Sequence, residues 1–145
     1  MSTPLDPEAR TRWEVPSFTT ICWRGRQRPH CVVVPVINEG RRIESLLGRM
    51  AALGIERIAD VVIVDGGSTD GSLDPERLQS AGVRGLLLKT GAGRLSAQLR
   101  CAYAFALDQG YEGIVTIDGN DKDDPEAIPR FIEALEDGVD FVQAS

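Results

Sequence analysis

Apolar residues along this chain recur with two periods, and the switches between them mark out the elements. "CVVVPV", from Cys31, is a short β-branched run of the kind buried on both faces of a sheet. Ile43, Leu46, Leu47 and Met50 then recur at helical spacing up to Gly54, with Asn38 placed to cap that helix. "IADVVIVD" returns to the strand pattern and is closed by the turn-rich "GGSTDGS". Pro75 to Ser80 predicts a short helix, and "GLLLK" a third strand. "GAGR" leads into a helix whose packed face reads as Leu95, Leu99, Ala102 and Ala106, with Gly110 as its C′ residue. "GIVTID" is a fourth strand, Ile128, Phe131, Ile132 and Leu135 form the next helix face, and "VDFVQAS" begins a fifth strand. Apolar strands alternating with amphipathic helices predict an α/β, Rossmann-like fold: a mostly parallel sheet with helices on both faces.

Ahead of this pattern, Met1 to His30 has no clear period and carries Pro4, Pro7, Pro16 and Pro29. It reads as an N-terminal extension, 1–30, that wraps on or precedes a domain at 31–145. Its basic patch "WRGRQRPH" reads as a solvated arm, ahead of the alternative of a contact with an acidic membrane surface.

Bulk properties narrow the function. A chain of 145 residues is long enough for one domain with a real core. The net charge of -6 argues against a nucleic-acid partner, because phosphate neutralisation needs clustered Lys and Arg. Cys22, Cys31 and Cys101 form no CxxC or Cys/His cluster and read as reduced thiols. No apolar run approaches ~18 residues and no secretory h-region is visible. Together these predict a cytoplasmic protein, at most peripheral to a membrane.

In parallel α/β sheets, ligands sit beyond the carboxyl ends of the strands. The segments expected there are "INEG", "DGGSTDG", "TGAGR" and "DGNDKDD". In the last, four aspartates crowd together, and two unit charges ~4 Å apart repel by about 1 kcal/mol in water and about 4 near a protein surface. Asp124, before Pro125 and Glu126, reads as a helix cap. Pro129 then removes an interior hydrogen bond, so the regular helix is expected to begin late. Asp118 ends a buried strand and Gly119 clears space beside it. A carboxylate there can hold a hard divalent cation bound to phosphate oxygens. Asp65 also ends a strand, and Gly66 and Gly67 let backbone approach a ligand. That loop reads equally well as a plain turn in which Asp and Ser cap local amides. "GAGR" offers backbone N–H groups and Arg94 to an anion. Taken alone it is a weak motif, and the chain contains neither GxGxxG nor a P-loop.

In order and spacing, "VVVPVINEG", "VVIVDGGSTDG", "GAGRLSAQLRCAYAFA" and "IVTIDGNDKDDPEAIPRFIEAL" resemble the nucleotide-binding half of family 2 glycosyltransferases with the GT-A fold. The closest flavour is the polyprenyl-phosphate sugar transferases, such as dolichyl-phosphate mannosyltransferase. The resemblance covers Cys31 to Ser145 and implies an inverting transferase that binds a nucleotide-diphosphate sugar. By the same resemblance, Pro35, Ile37, Glu39, Asp65 and Gly66 hold base and ribose. A DxD-like loop, Asp118, Gly119 and Asn120, holds the diphosphate through Mg²⁺ or Mn²⁺, with Asp118 and Asn120 as metal ligands. The family often has an aromatic where Ile37 stands and a second Asp where Gly66 stands. Its second DxD carboxylate is Asn120 here, and Lys122 replaces a polar metal neighbour. An ammonium at Lys122 either pairs with phosphate, lessening the need for metal, or screens Asp121 and Asp123, which form a second-ranked DxD. The acceptor is a hydroxyl or a polyprenyl phosphate. Its site and the catalytic base are implied to follow Ser145, so 31–145 reads as a donor half truncated at its C-terminus and expected to be inactive alone. No residue in it reads as the general base. The competing class is a non-catalytic nucleotide-binding or regulatory α/β module. Its most concrete form, a phospho-receiver, wants an Asp where "LLLKTG" ends the third strand and has none.

Overall fold

The structure, a computed structural model, describes residues 14–120, 124–137 and 142–143. Strands β1 (Phe18–Trp23), β2 (His30–Val36), β3 (Asp60–Asp65), β4 (Val83–Lys89), β5 (Gly113–Thr116) and β6 (Val142–Gln143) form one sheet. Helices α1 (Arg41–Ala52), α2 (Pro75–Ser80), α3 (Leu95–Asp108) and α4 (Ile128–Glu136) alternate with them. The strand order is β1-β4-β3-β2-β5-β6. All neighbours are parallel except β1, which runs antiparallel to β4. The chain leaves β2 toward β3 on one side and returns to β5 on the other. The strand order therefore reverses between β2 and β5, where such sheets open a crevice.

Every residue of β2 and β3 is buried, as their uninterrupted apolar runs require. On one face, Ile43, Leu46, Leu47 and Met50 of α1 join Leu78, Ile128 and Ile132 over Val32, Val34, Ile63 and Val115. On the other, α3 packs Cys101, Ala102, Phe105 and Ala106 over Cys31, Val33, Val62 and Val64. The helices thus lie on both faces, as the pattern predicts.

Gly110 ends α3 as expected, at φ 87°, with its N–H on Leu107 O and the Tyr111 N–H on Ala106 O, the Schellman pairing. Asp124 accepts the Glu126 N–H at 2.9 Å and caps a 3₁₀ turn over Pro125–Ala127. The regular helix α4 starts only at Ile128, because Pro129 has no N–H to give the preceding turn.

Three local readings are corrected. Asn38 does not cap α1: Gly40 occupies the N-cap with no side-chain cap bond, and Asn38 sits at φ 48° with its amide spent on the neighbouring loop. The buried stripe of α3 is rotated from the expected one. Ala102 and Ala106 are buried, but Leu95 is 48% exposed and Gln98 is 3% exposed. The "WRGRQRPH" patch is not a solvated arm. Trp23 meets Phe105 edge-on at 4.9 Å, Arg24 donates to Val83 O at 2.7 Å, and Asp60 accepts the Gln27 and Arg28 amides. β1 is an edge strand with three exposed residues out of six, so no continuous apolar run announces it.

Candidate functional site

A cavity of about 370 Å³ opens at the carboxyl ends of the strands. Each of the four loops meeting there contributes to its wall. The end of β2 and the segment after it give Pro35, Ile37 and Glu39; the segment after β3 gives Gly66. The turn from β4 into α3 gives Lys89, Gly93, Arg94, Leu95 and Gln98, and that after β5 gives Asp118. Of the residues anticipated from sequence, Pro35, Ile37, Glu39, Gly66, Arg94 and Asp118 are thus brought together. Asp65, Gly67, Gly119 and Asn120 do not line the cavity, and Lys122 lies outside the described residues.

Asp65 Oδ1 accepts N–H bonds from Gly67 at 2.9 Å and Ser68 at 2.7 Å, the local caps that a turn in this segment uses. Gly67 takes φ 113°, which an L side chain rarely adopts. The loops after β2 and β3 are then stitched to one another. The Asn38 N–H donates to Ser68 Oγ at 2.9 Å, and Asn38 Oδ1 accepts the Thr69 N–H at 2.8 Å. Asp70 Oδ2 accepts the Gly40 N–H at 3.1 Å, and its Oδ1 accepts from Ser72. The Ser72 hydroxyl, above all, holds the Asp70 carboxyl below its ordinary range. "NEG" and "GGSTDG" therefore behave as one framework that fixes Ile37 and Glu39.

Gln98 is the residue the sequence reading missed. Its Nε2 donates to Val36 O at 3.0 Å and Val64 O at 3.2 Å, tying together the ends of β2 and β3 beneath the cavity floor. A Cβ at Gly66 would sit 2.8 Å from the Gln98 amide. The available signal was a polar side chain in register, three and four residues before Cys101 and Ala102, on the buried stripe. Lys89 was also missed, although it ends a strand at the ligand edge. Its Nζ donates to Gly91 O at 2.8 Å.

Charge is divided around the wall: Lys89 and Arg94 on the β4–α3 side, Glu39 and Asp118 on the β2–β5 side. Glu39 Oε2 is buried and lies 3.1 Å from Arg42 Nη2, yet the alignment is not that of a hydrogen bond, so this oxygen has no donor among the described residues. Ile37, half exposed, and Leu95 supply an apolar rim. Asp118 is set by its backbone: the Ile117 and Gly119 N–H groups extend the ladder onto Val33 O and Pro35 O, and Asp118 Oδ1 accepts the Asn120 N–H at 3.0 Å. Gly119 permits this approach, since a Cβ there would stand 2.9 Å from both Pro35 O and Val36 Cγ2.

No group of three or more His, Cys, Asp or Glu side chains able to hold a metal occurs among the described residues. Asp118, with Asn120 beside it, suffices only for a cation that draws its other oxygens from a bound phosphate. That is the usual manner of Mg²⁺, and the donor set fits it.

The family profile described as glycosyl transferase family 2 matches residues 31–145. Over 117 residues the chain is 32% identical to the undecaprenyl-phosphate 4-deoxy-4-formamido-L-arabinose transferase of Aeromonas hydrophila, covering 77% of this chain and 35% of that protein. The transferase of the same name from Pseudomonas aeruginosa is 34% identical over 119 residues, covering 77% and 33%. The chain thus spans about a third of the length of these relatives. Among solved structures, glucosyl-3-phosphoglycerate synthase from Mycobacterium tuberculosis, in complex with Mn²⁺, UDP and glucosyl-3-phosphoglycerate, superposes with a TM-score of 0.53 at 22% identity. That match covers 77% of this chain and 40% of the synthase and establishes the shared fold.

Proposed function

The chain belongs to glycosyl transferase family 2, and from that premise we propose that its cavity binds the nucleoside diphosphate of a sugar donor for transfer of the sugar to a polyprenyl phosphate or hydroxyl acceptor. The observation that carries this reading is the composition of the cavity wall at the switch point. Ile37 and Leu95 offer an apolar rim suited to a base face, and Glu39 Oε2, without a donor among the described residues, suits N–H or O–H groups. Arg94 and Lys89 on the β4–α3 side, across from Asp118, are suited to a diphosphate. The names of the two undecaprenyl-phosphate relatives support the polyprenyl phosphate acceptor.

In the proposed reaction an acceptor oxygen attacks the anomeric carbon, the bond from that carbon to the diphosphate breaks, and the nucleoside diphosphate departs with the electron pair. The chain's own part is to orient the donor and to meet the charge that develops on the leaving group. Arg94 and Lys89 offer N–H donors to it. Asp118 and Asn120 would hold Mg²⁺ or Mn²⁺, which when bound neutralises the same charge. No general base is assigned.

The test is a calorimetric titration of UDP, GDP and their sugars, with Mn²⁺ and with EDTA. At least one nucleotide is expected to bind in the micromolar to millimolar range. Silence from the whole panel with folded protein would sink the donor-site reading. Asp118→Ala is expected to weaken binding by about tenfold or more, the scale of one lost charge-assisted contact. Asp124→Ala is expected to leave affinity unchanged while lowering stability by about 1 kcal/mol, the usual value of an N-cap. The reverse order would exchange the two roles.

A further inference from the structure

At the opposite edge of the sheet, where β3 and β4 begin, a second cavity of about 320 Å³ is lined by Arg24, Arg28, Arg57, Arg84, Glu56 and Asp60, among others. Asp60 and Asp65 bound β3 and, at ~3.3 Å per residue, stand roughly 17 Å apart, so this cavity is separate from the nucleotide cavity. Four guanidinium groups against two carboxylates give its charged lining a formal charge of +2, in a chain whose net charge is -6. Such a concave cationic site in an acidic surface gathers anions.

Two of the arginines are engaged by the fold. Arg24 donates to Val83 O, and Arg84 donates to the carbonyls of Arg24 and Gly25. The other two keep donors in reserve. Among the described residues, the Arg28 guanidinium donates through Nε alone, at 3.4 Å from Glu56 O. The Arg57 guanidinium makes no hydrogen bond or ion pair among the described residues. Asp60 also lines this cavity and is 1% exposed. Its Oδ2 is saturated by the Gln27 N–H at 2.8 Å, the Arg28 N–H at 3.1 Å and the Tyr111 hydroxyl at 2.7 Å. Its Oδ1 is buried and has no donor among the described residues. Leaving such an oxygen unpaired is costly.

The guanidinium groups and the orphaned oxygen together restrict the ligand. A bare oxyanion satisfies the arginines but is repelled by Asp60. An oxyanion that brings its own hydroxyl satisfies both, its charged oxygens facing Arg28 and Arg57 while its O–H donates to Asp60 Oδ1. We propose that this cavity is a second binding site, for hydrogen phosphate or for a phosphate monoester that carries a free hydroxyl. Sulfate has the same shape and charge as hydrogen phosphate but no proton near neutral pH, and the site rejects it.

The experiment titrates the protein with inorganic phosphate and with sulfate at matched ionic strength near neutral pH, by calorimetry. Phosphate is expected to bind about tenfold or more tightly than sulfate, on the scale of one charge-assisted hydrogen bond and the repulsion it replaces. Arg57→Gln, at an exposed position, is expected to weaken phosphate by about tenfold and to leave UDP binding unaltered. Asp60→Asn, which can donate where the carboxylate could only accept, is expected to bring sulfate to parity with phosphate. Equal affinity of the unaltered protein for the two anions, or phosphate binding that survives both Arg28→Gln and Arg57→Gln, overturns the proposal. If Asp60→Asn does not fold, the anion comparison and the arginine variants decide alone. Glycerol 3-phosphate and vesicles containing lysophosphatidic acid both present a phosphate monoester beside a free hydroxyl, the one in solution and the other at a membrane. Whichever arm shows the Arg57 dependence identifies the source.

Discussion

Gly119→Ala is expected to lower stability by about 1–3 kcal/mol, the usual cost of forcing a methyl group into a packed position, and to remove nucleotide binding as well. A Cβ at 119 would stand 2.9 Å from Pro35 O and 2.9 Å from Val36 Cγ2. The first of these is backbone, so no side-chain rotation relieves it. The same carbonyl accepts the Gly119 N–H at 3.1 Å, a bond that holds the Asp118 segment against the end of β2. The methyl group must therefore push apart β2 and the β5 extension at the crevice where the cavity opens. Ile37 and Glu39 move with one side of it, Asp118 with the other. Gly48→Ala is the matched control. Gly48 lies exposed inside α1 with nothing within 4 Å of the added carbon, so alanine there is expected to stabilise by up to about 1 kcal/mol through helix propensity. Urea denaturation and UDP titration of both variants check this. A Gly119→Ala protein with unaltered stability and affinity would mean that β2 and β5 separate freely at their ends, contrary to the ladder.

The elements that could be read from the sequence are those whose burial leaves a period behind. β2 and β3 are apolar without interruption because both faces are covered. Ile43, Leu46, Leu47 and Met50 mark α1 because only one face is. The strand-end rule then located most of the cavity wall, since in a parallel sheet the loop after each strand has to open on one edge. What escaped was polar chemistry within elements. Gln98 sits in an alanine-rich helix whose small residues give no clear apolar stripe; Leu99 packs against the core as its spacing suggests, but Leu95 points the expected face away from Gln98. Asn38 has the right residue type for a cap, but it stands two residues ahead of the N-cap Gly40 and its side-chain oxygen accepts from Thr69, a partner 31 residues away. Asp60 looked like one residue of a strand. Its role depends on Gln27, Arg28 and Tyr111, which the chain delivers from two other places. Contacts between segments distant in sequence leave no local period to read.

Gln98 and Gly66 should therefore prove strongly coupled. Gly66→Ala alone is expected to destabilise by about 1–3 kcal/mol. Its Cβ would meet Gln98 Cδ and Nε2 at 2.8 Å. A free glutamine end would swing away at little cost, but this one is 3% exposed and donates to Val36 O and Val64 O, so moving it breaks both bonds. Gln98→Ala alone is expected to cost a similar amount. Val36 O keeps the Gly66 N–H at 2.8 Å, while Val64 O loses its side-chain donor and a cavity opens. In the double variant the alanine at 66 has nothing left to strike and its methyl group occupies part of the vacated space. The loss is then expected to be smaller than the sum of the two single losses by about 1 kcal/mol or more, within the range found for directly contacting residues. Nucleotide affinity should follow the same cycle, since both residues face the cavity. Denaturant unfolding of the four proteins measures the coupling. Additive losses would mean that Gln98 yields to the methyl group without surrendering its carbonyl partners, and that the ends of β2 and β3 are held by the Gly66 N–H alone.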